Sequence, residues 1–160
     1  MNDILVACFA HNRWANLLLA DACLAADPAV LGEGLHGAFG SIRETMQHIA
    51  IAEASYAAAL AGGDPERSSP IRGRAASMTE IRDELARTGD LLTAAARAAS
   101  PGASLSVDWD GDGILRPMPS DFLLVQALDH GREHRTQVAA ILTRNGVTPP
   151  DMDAWSFYGV

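Results

Sequence analysis

Lysine is absent from the 160 residues, so all twelve basic side chains are arginine, a compositional bias with no mechanism attached to it. Against twenty acidic residues they leave a net charge of −8 and an isoelectric point near 4.9. Nucleic acids are held through basic surfaces, and no basic patch with interleaved aromatics occurs, which excludes a nucleic-acid partner. No apolar run approaches the roughly 18 residues that a bilayer span requires, which excludes a membrane-spanning helix. Cysteine is scarce: Cys8 and Cys23 are the only two. Both lie in the first helical segment, about 22 Å apart along a continuous helix, far beyond disulfide reach. Met1–Leu5 lacks the charged region of a signal peptide. A reduced, cytoplasmic protein is the expectation.

What is present suits one globular domain over residues 1–160, with 48% hydrophobic and 20% charged residues. An apolar helix over residues 2–26 ends at Asp27-Pro28. A glycine-rich connector, residues 31–40, leads into a second helix over residues 41–60, stopped by Gly62-Gly63-Asp64-Pro65. Residues 66–76 are polar and read as a surface loop. Ser77-Met78-Thr79-Glu80 fits a capping box and opens a third helix that ends at Ser100-Pro101-Gly102. Leu105, Val107 and Trp109 alternate with polar residues before a turn at residues 110–113, and Ile114-Leu115-Arg116 reads as the returning strand. Residues 117–120 open the fourth helix, which ends at Asn145-Gly146. The tail, residues 151–160, carries Trp155, Phe157 and Tyr158 and is expected to pack on the rest. The fold class that follows is all-α: a four-helix bundle with a short β-hairpin between helices 3 and 4. Its connections are long, so chain order does not force an up-down-up-down path.

The fourth helix carries the chemistry. Its inward stripe reads Leu123, Ala127, His130, His134, Gln137, Ile141, which places two imidazoles one turn apart where a bundle wants apolar residues. Left unliganded, two buried imidazoles have four ring nitrogens to satisfy. A divalent metal takes nitrogen ligands of this kind, and His48, beside the stripe Ile42, Met46, Ile49, Glu53, Tyr56, Leu60 of the second helix, is available as a third. On the first helix the stripe Ile4, Cys8, His11, Ala15, Leu18, Ala22 places His11 inward, where a structural histidine is the favoured reading.

Two motifs mislead. Residues 108–113 open like a calcium loop, but the twelfth position needs a bidentate glutamate and holds Pro119; a hairpin turn is the better reading. His130-Gly131-Arg132-Glu133-His134 matches the H-x-x-E-H pattern of certain zinc peptidases. Those recruit a further acidic ligand far downstream, and too little chain follows His134 to supply one. Glu133 is either a general base or an exposed partner of Arg132 or Arg135.

Taken together, the chain resembles the DinB/YfiT-like family over essentially its whole length. The resemblance rests on His11-Asn12-Arg13-Trp14-Ala15-Asn16, on Met46-Gln47-His48-Ile49 with Glu53 and Tyr56, on His130-x-x-x-His134-Arg135-x-Gln137, and on Pro149-Pro150-Asp151-x-Asp153-x-Trp155. It implies a four-helix bundle, often a homodimer, with zinc or nickel held by His48, His130 and His134 and water completing the shell. It also implies a small-molecule substrate and, by analogy with relatives, a low-molecular-weight thiol as co-reactant in a transferase or isomerase reaction. A metal-dependent hydrolase is the runner-up, and a non-enzymatic metal- or ligand-binding bundle of a stress response is the alternative from another class. An enzyme of this kind keeps a solvent-open cleft above the metal; Glu53, Tyr56 and Glu133 are the candidates for catalysis, with His11 and Trp14 for its rim. The first helix, apolar around most of its circumference at Leu17-Leu18-Leu19, points to a homodimer.

Overall fold

Ser41 and Ser77 each open a helix by the same reciprocal device. In the computed structural model, which describes residues 3–100 and 102–160, each serine hydroxyl accepts from the backbone amide three residues on, at Glu44 or Glu80. The glutamate carboxylate accepts in return from the serine's own amide. Two first-turn amides that have no partner inside the helix are satisfied at each start. The elements are α1 (Asp3–Ala25), a 3-10 turn (Val30–Gly32), α2 (Ile42–Leu60), α3 (Met78–Ala98), β1 (Ser104–Val107), β2 (Arg116–Pro119), α4 (Ser120–Arg144) and α5 (Ala154–Tyr158). The expected helical start at residue 2 and the role of Pro101 lie outside the described residues. Among the described residues no helix is long and apolar enough to cross a membrane.

Both α1 and α2 pack against α3 and against α4, so the order around the bundle is α1, α3, α2, α4. The core is split along its length. One apolar cluster holds Leu19, Met46, Ile49, Ile81, Leu85 and Ile141, and the other holds Phe9, Tyr56, Leu92, Leu123 and Ala127. Their order along each chain segment makes α1 and α4 run one way and α2 and α3 the other, an up-down-down-up path. The connection from α2 to α3 therefore has to travel back the length of α2. It does so as a tethered strap: the Gln47 amide donates to the carbonyls of Ile71 and Arg74, and its oxygen accepts from the Ala76 amide. This corrects the reading of residues 66–76 as surface loop only, because Ile71 and Ala76 are core residues.

Three further expectations change. The buried face of α1 is Phe9, Asn12, Ala15, Asn16, Leu19, Ala20 and Cys23; Ala15 of the expected stripe is buried, whereas Phe9, Asn12, Leu19 and Cys23 each lie one position after an expected residue, a rotation of about 100°. Ile4 and Cys8 are exposed. The face was hidden because two of its members are asparagines, which an apolar pattern does not register. In the hairpin, the returning strand is Arg116–Pro119, with Val107 opposite Arg116 and Ser104 opposite Pro119. Its two prolines alternate, so the donors they lack fall on the side of the strand that faces away from the ladder. Asp108 closes the intervening loop by accepting from the amides of Asp112 and Gly113, as a turn residue does. The tail docks in part: Phe157 packs between His11 and Trp14 at 5.4 and 5.3 Å between ring centroids, whereas Trp155 and Tyr158 stay exposed.

Candidate metal centre

A polar layer lies between the two apolar clusters, and it has two parts. The inner part is a sealed network. Glu53, 1% exposed, accepts from the side-chain amides of Asn12 and Asn16 (2.7 Å each) and from the Thr88 hydroxyl (2.8 Å). Arg135 donates to the oxygens of the same two asparagines at 2.6 and 2.7 Å. The asparagines thus carry the coupling between a buried carboxylate and a buried guanidinium. Burial raises the Glu53 pKa against the opposing pull of these hydrogen bonds and of Arg135, and burial lowers Arg135 to about 10.

The outer part, at the same level between α2 and α4, is the histidine cluster. Donor atoms of His48, His130 and His134 all lie within 4.8 Å of one another. The Nε2 atoms of His48 and His130 are 2.9 Å apart, and the ring centroids of His130 and His134 are 4.4 Å apart. Ligand nitrogens at about 2.0–2.1 Å from one ion stand roughly 3–3.5 Å from each other, so small side-chain rotations suffice for all three to meet an ion. Burial lowers the His48 pKa, followed by the nearby His134. Burial and then the other two histidines lower His130 to about 4. Both rings are therefore neutral at pH 7, as nitrogen ligands must be.

The orientation of His134 is set by Gln137. Gln137 Oε1 accepts the backbone amide of Phe39 at 3.1 Å, which identifies that atom as oxygen. His134 Nδ1, 3.0 Å from the same oxygen, must then be the protonated nitrogen. Nε2 is left with its lone pair. His130 Nδ1 is buried without a hydrogen-bond partner, and two of the three imidazoles confront each other through Nε2. Nitrogen donors crowded in this way could hold a metal ion. Among the described residues no fourth histidine, cysteine or carboxylate joins the group.

Phe39, on the connector before α2, stacks on His48 at 3.9 Å and 14° and meets His134 edge-on at 5.5 Å. A cavity of about 230 Å³ opens beside His48 and His130, walled by Ser55, Tyr56, Arg72 and Trp109 among others. A second, of about 540 Å³, reaches His48 from the Phe39 and Gln47 side. Another, of about 800 Å³, lies between α1, α4 and the tail, and none of the three histidines lines it.

Of the residues singled out from sequence, the three metal candidates converge and Tyr56 stands beside them. Its ring meets His130 edge-on at 6.0 Å and stacks on Trp109 at 5.5 Å, and burial raises its phenol pKa against a hydrogen bond with Gln126. The others are placed elsewhere. Both oxygens of Glu53 are occupied in the inner network, so it orients no histidine of the cluster. Glu133 is exposed on α4. His11 contacts the Met152 carbonyl at 2.9 Å and borders the 800 Å³ cavity, and Trp14 packs on Phe157. Phe39, Arg72 and Trp109 border the cluster without having been singled out as site residues. Phe39 carries no sequence signal beyond being the one aromatic in a glycine-rich connector. Arg72 is brought there by the strap, which only the up-down-down-up path explains.

A family model described as the DinB family matches residues 1–158. No curated protein matches the chain. Among solved structures, a DinB-like protein from Bacillus cereus ATCC 10987 superposes with a TM-score of 0.68 at 15% identity, covering 92% of this chain and 94% of that one. At that identity the likeness speaks for the fold.

Proposed function

The chain belongs to the DinB family, and from that membership and its three-histidine cluster we propose a divalent-metal-dependent enzyme that uses a low-molecular-weight thiol in a transferase or isomerase reaction on a small molecule. The observation that carries this reading is the convergence of His48, His130 and His134 beside an open cleft, with no fourth protein donor among the described residues. When bound, zinc or nickel supplies a Lewis acid that lowers the pKa of a thiol or water placed on it. Three neutral ligands leave the ion its full charge for that purpose.

The chain's own residues do the rest. Gln137 holds His134 in the tautomer that presents Nε2. Phe39 covers the outer face of His48 and limits solvent there. Tyr56 and Trp109 form a stacked aromatic flank on the His130 side. Two clefts reaching His48 from different sides suit two reactants, which favours transfer or isomerisation with a thiol over hydrolysis. A purely structural site is closed by a fourth protein ligand, and the open cleft argues against that role. We also propose a cytoplasmic homodimer, which light scattering at micromolar concentration tests; a monomer there contradicts it.

The test is metal analysis of protein purified without nickel resin, then a screen of low-molecular-weight thiols against small electrophiles. The proposal expects about one divalent ion per chain and thiol-dependent turnover that chelation abolishes. Bound metal with ester or amide hydrolysis and no use of thiol overturns it in favour of the hydrolase.

A further inference from the structure

We propose that the 230 Å³ cleft beside His48 and His130 selects a small carboxylate-bearing reactant, and that Arg72 is the residue that anchors its charge. This rests on the enzyme reading above for its purpose, but the binding it describes stands on separate observations.

The first is charge. In a chain of net charge −8, Arg72 is the one arginine lining this cleft among the described residues. The second is the way Arg72 is held. Its Nη2 donates to the Ser55 hydroxyl at 2.5 Å and to the Pro65 carbonyl at 3.2 Å. Ser55 in turn contacts the Ile51 carbonyl at 3.1 Å. The guanidinium is thereby fixed against α2 from the returning strap, without using its remaining donors. A guanidinium has five N–H groups. Nε is buried and faces no ligand, so the donor left for one is Nη1, which has only a 3.5 Å contact with Glu66.

Glu66 is the third observation. It lines the same cleft, its side chain is 52% exposed, and its carboxylate meets Arg72 at a distance too long for a strong pair. Exposed pairs of this kind are weak and solvent-screened. The carboxylate of a bound molecule that makes a shorter, less solvated contact displaces it. Glu66 marks where a carboxylate sits and is easily moved aside. The fourth is the aromatic part of the lining, where Tyr56 and Trp109 lie stacked at 16° and contribute apolar surface. At about 30 Å³ per water-sized group, the cleft holds roughly eight such groups, which sets the class: a short carboxylic acid whose chain lies on the aromatic flank and whose other end reaches His48 and His130.

The experiment is ¹H–¹⁵N NMR on the full chain, metal-free and zinc-loaded, titrated with butyrate, 1-butanol and butylamine. Butyrate is expected to shift the Trp109 indole and the Arg72 side-chain resonances and to bind at least about tenfold more tightly than butanol, the scale of one charge-assisted hydrogen bond. Butylamine is expected to bind more weakly than butanol. In Arg72→Gln the preference for butyrate disappears while butanol is unaffected, and Arg72→Lys restores part of it. Glu66→Gln, which leaves the Arg72 anchor intact, is expected to tighten butyrate by about two- to threefold because its competitor is gone. Equal binding of butyrate and butanol by the wild-type chain, a preference that survives Arg72→Gln, or no tightening in Glu66→Gln overturns the proposal. Measuring the zinc content of the loaded sample separates the two readings. A chain that takes up no zinc yet prefers butyrate through Arg72 defeats the metalloenzyme reading alone. A zinc-loaded chain indifferent to charge defeats this proposal alone.

Discussion

Gln137 is the residue on which the histidine cluster turns, because a single amide oxygen joins the connector before α2 to a ligand candidate on α4. Groups that orient a ligand histidine typically contribute 10- to 100-fold in metal affinity. Gln137→Ala is therefore expected to weaken zinc binding by about that factor, read by competition with a chromogenic chelator, while the circular dichroism spectrum is unchanged. Unaltered affinity removes Gln137 from the account. Glu53 acts at a different point. Taking away its charge leaves Arg135, only 6% exposed, without a buried counter-charge. Breaking such a pair from one side costs about 3–5 kcal/mol, so Glu53→Gln is expected to lose about 3 kcal/mol in urea unfolding. A loss below about 1 kcal/mol means that the asparagines alone hold Arg135. Glu53 was legible from sequence as an inward residue but not for its partners, since nothing in an apolar pattern says that Asn12 and Asn16 turn inward. Gly131 belongs to the same layer. A Cβ there comes within 2.9 Å of Asn12 Oδ1 and 3.1 Å of an Arg135 guanidinium nitrogen, so the glycine between His130 and His134 is set by the network behind them.

Among the elements, α3 has a start that was legible down to its capping box, because that box is a local device. Ser77→Ala is expected to cost about 1 kcal/mol. Its partner adds a pH dependence. A hydrogen bond from Arg74, then those from the Ser77 amide and hydroxyl, bring the Glu80 pKa down from the ordinary 4.5 to about 2. A carboxylate whose folded pKa is depressed contributes stability that is present above the unfolded value and lost as pH falls through the folded one. The stability difference between wild type and Glu80→Gln should thus hold at neutral pH, shrink below about pH 4.5 and vanish near pH 2. A difference constant across that window contradicts the assignment. Helix α1 and strand β2 were less legible for related reasons. The face of α1 depends on polar residues satisfied by other helices. Strand β2 is built from prolines that read locally as a helix start.

At the scale of the whole molecule, the split core explains where the chemistry can sit. Two apolar clusters close the bundle at either end, and the layer between them gathers Asn12 and Asn16 of α1, Glu53 of α2, Thr88 of α3, and His134 and Arg135 of α4. The bundle, its helix boundaries and the three histidines could be read from periodicity and from the family resemblance. The cleft could not. It depends on the α2–α3 strap and the hairpin loop being folded against α2, contacts between segments far apart in sequence that carry no periodic signal. The cleft and the polar layer acquire their chemistry only if His48, His130 and His134 hold a single ion together. Anomalous diffraction from a zinc-loaded crystal, collected at the zinc edge, tests it most directly. The account predicts one peak with a nitrogen of each histidine within about 2.0–2.3 Å. A peak elsewhere, or any one of the three rings turned away from it, contradicts the claim.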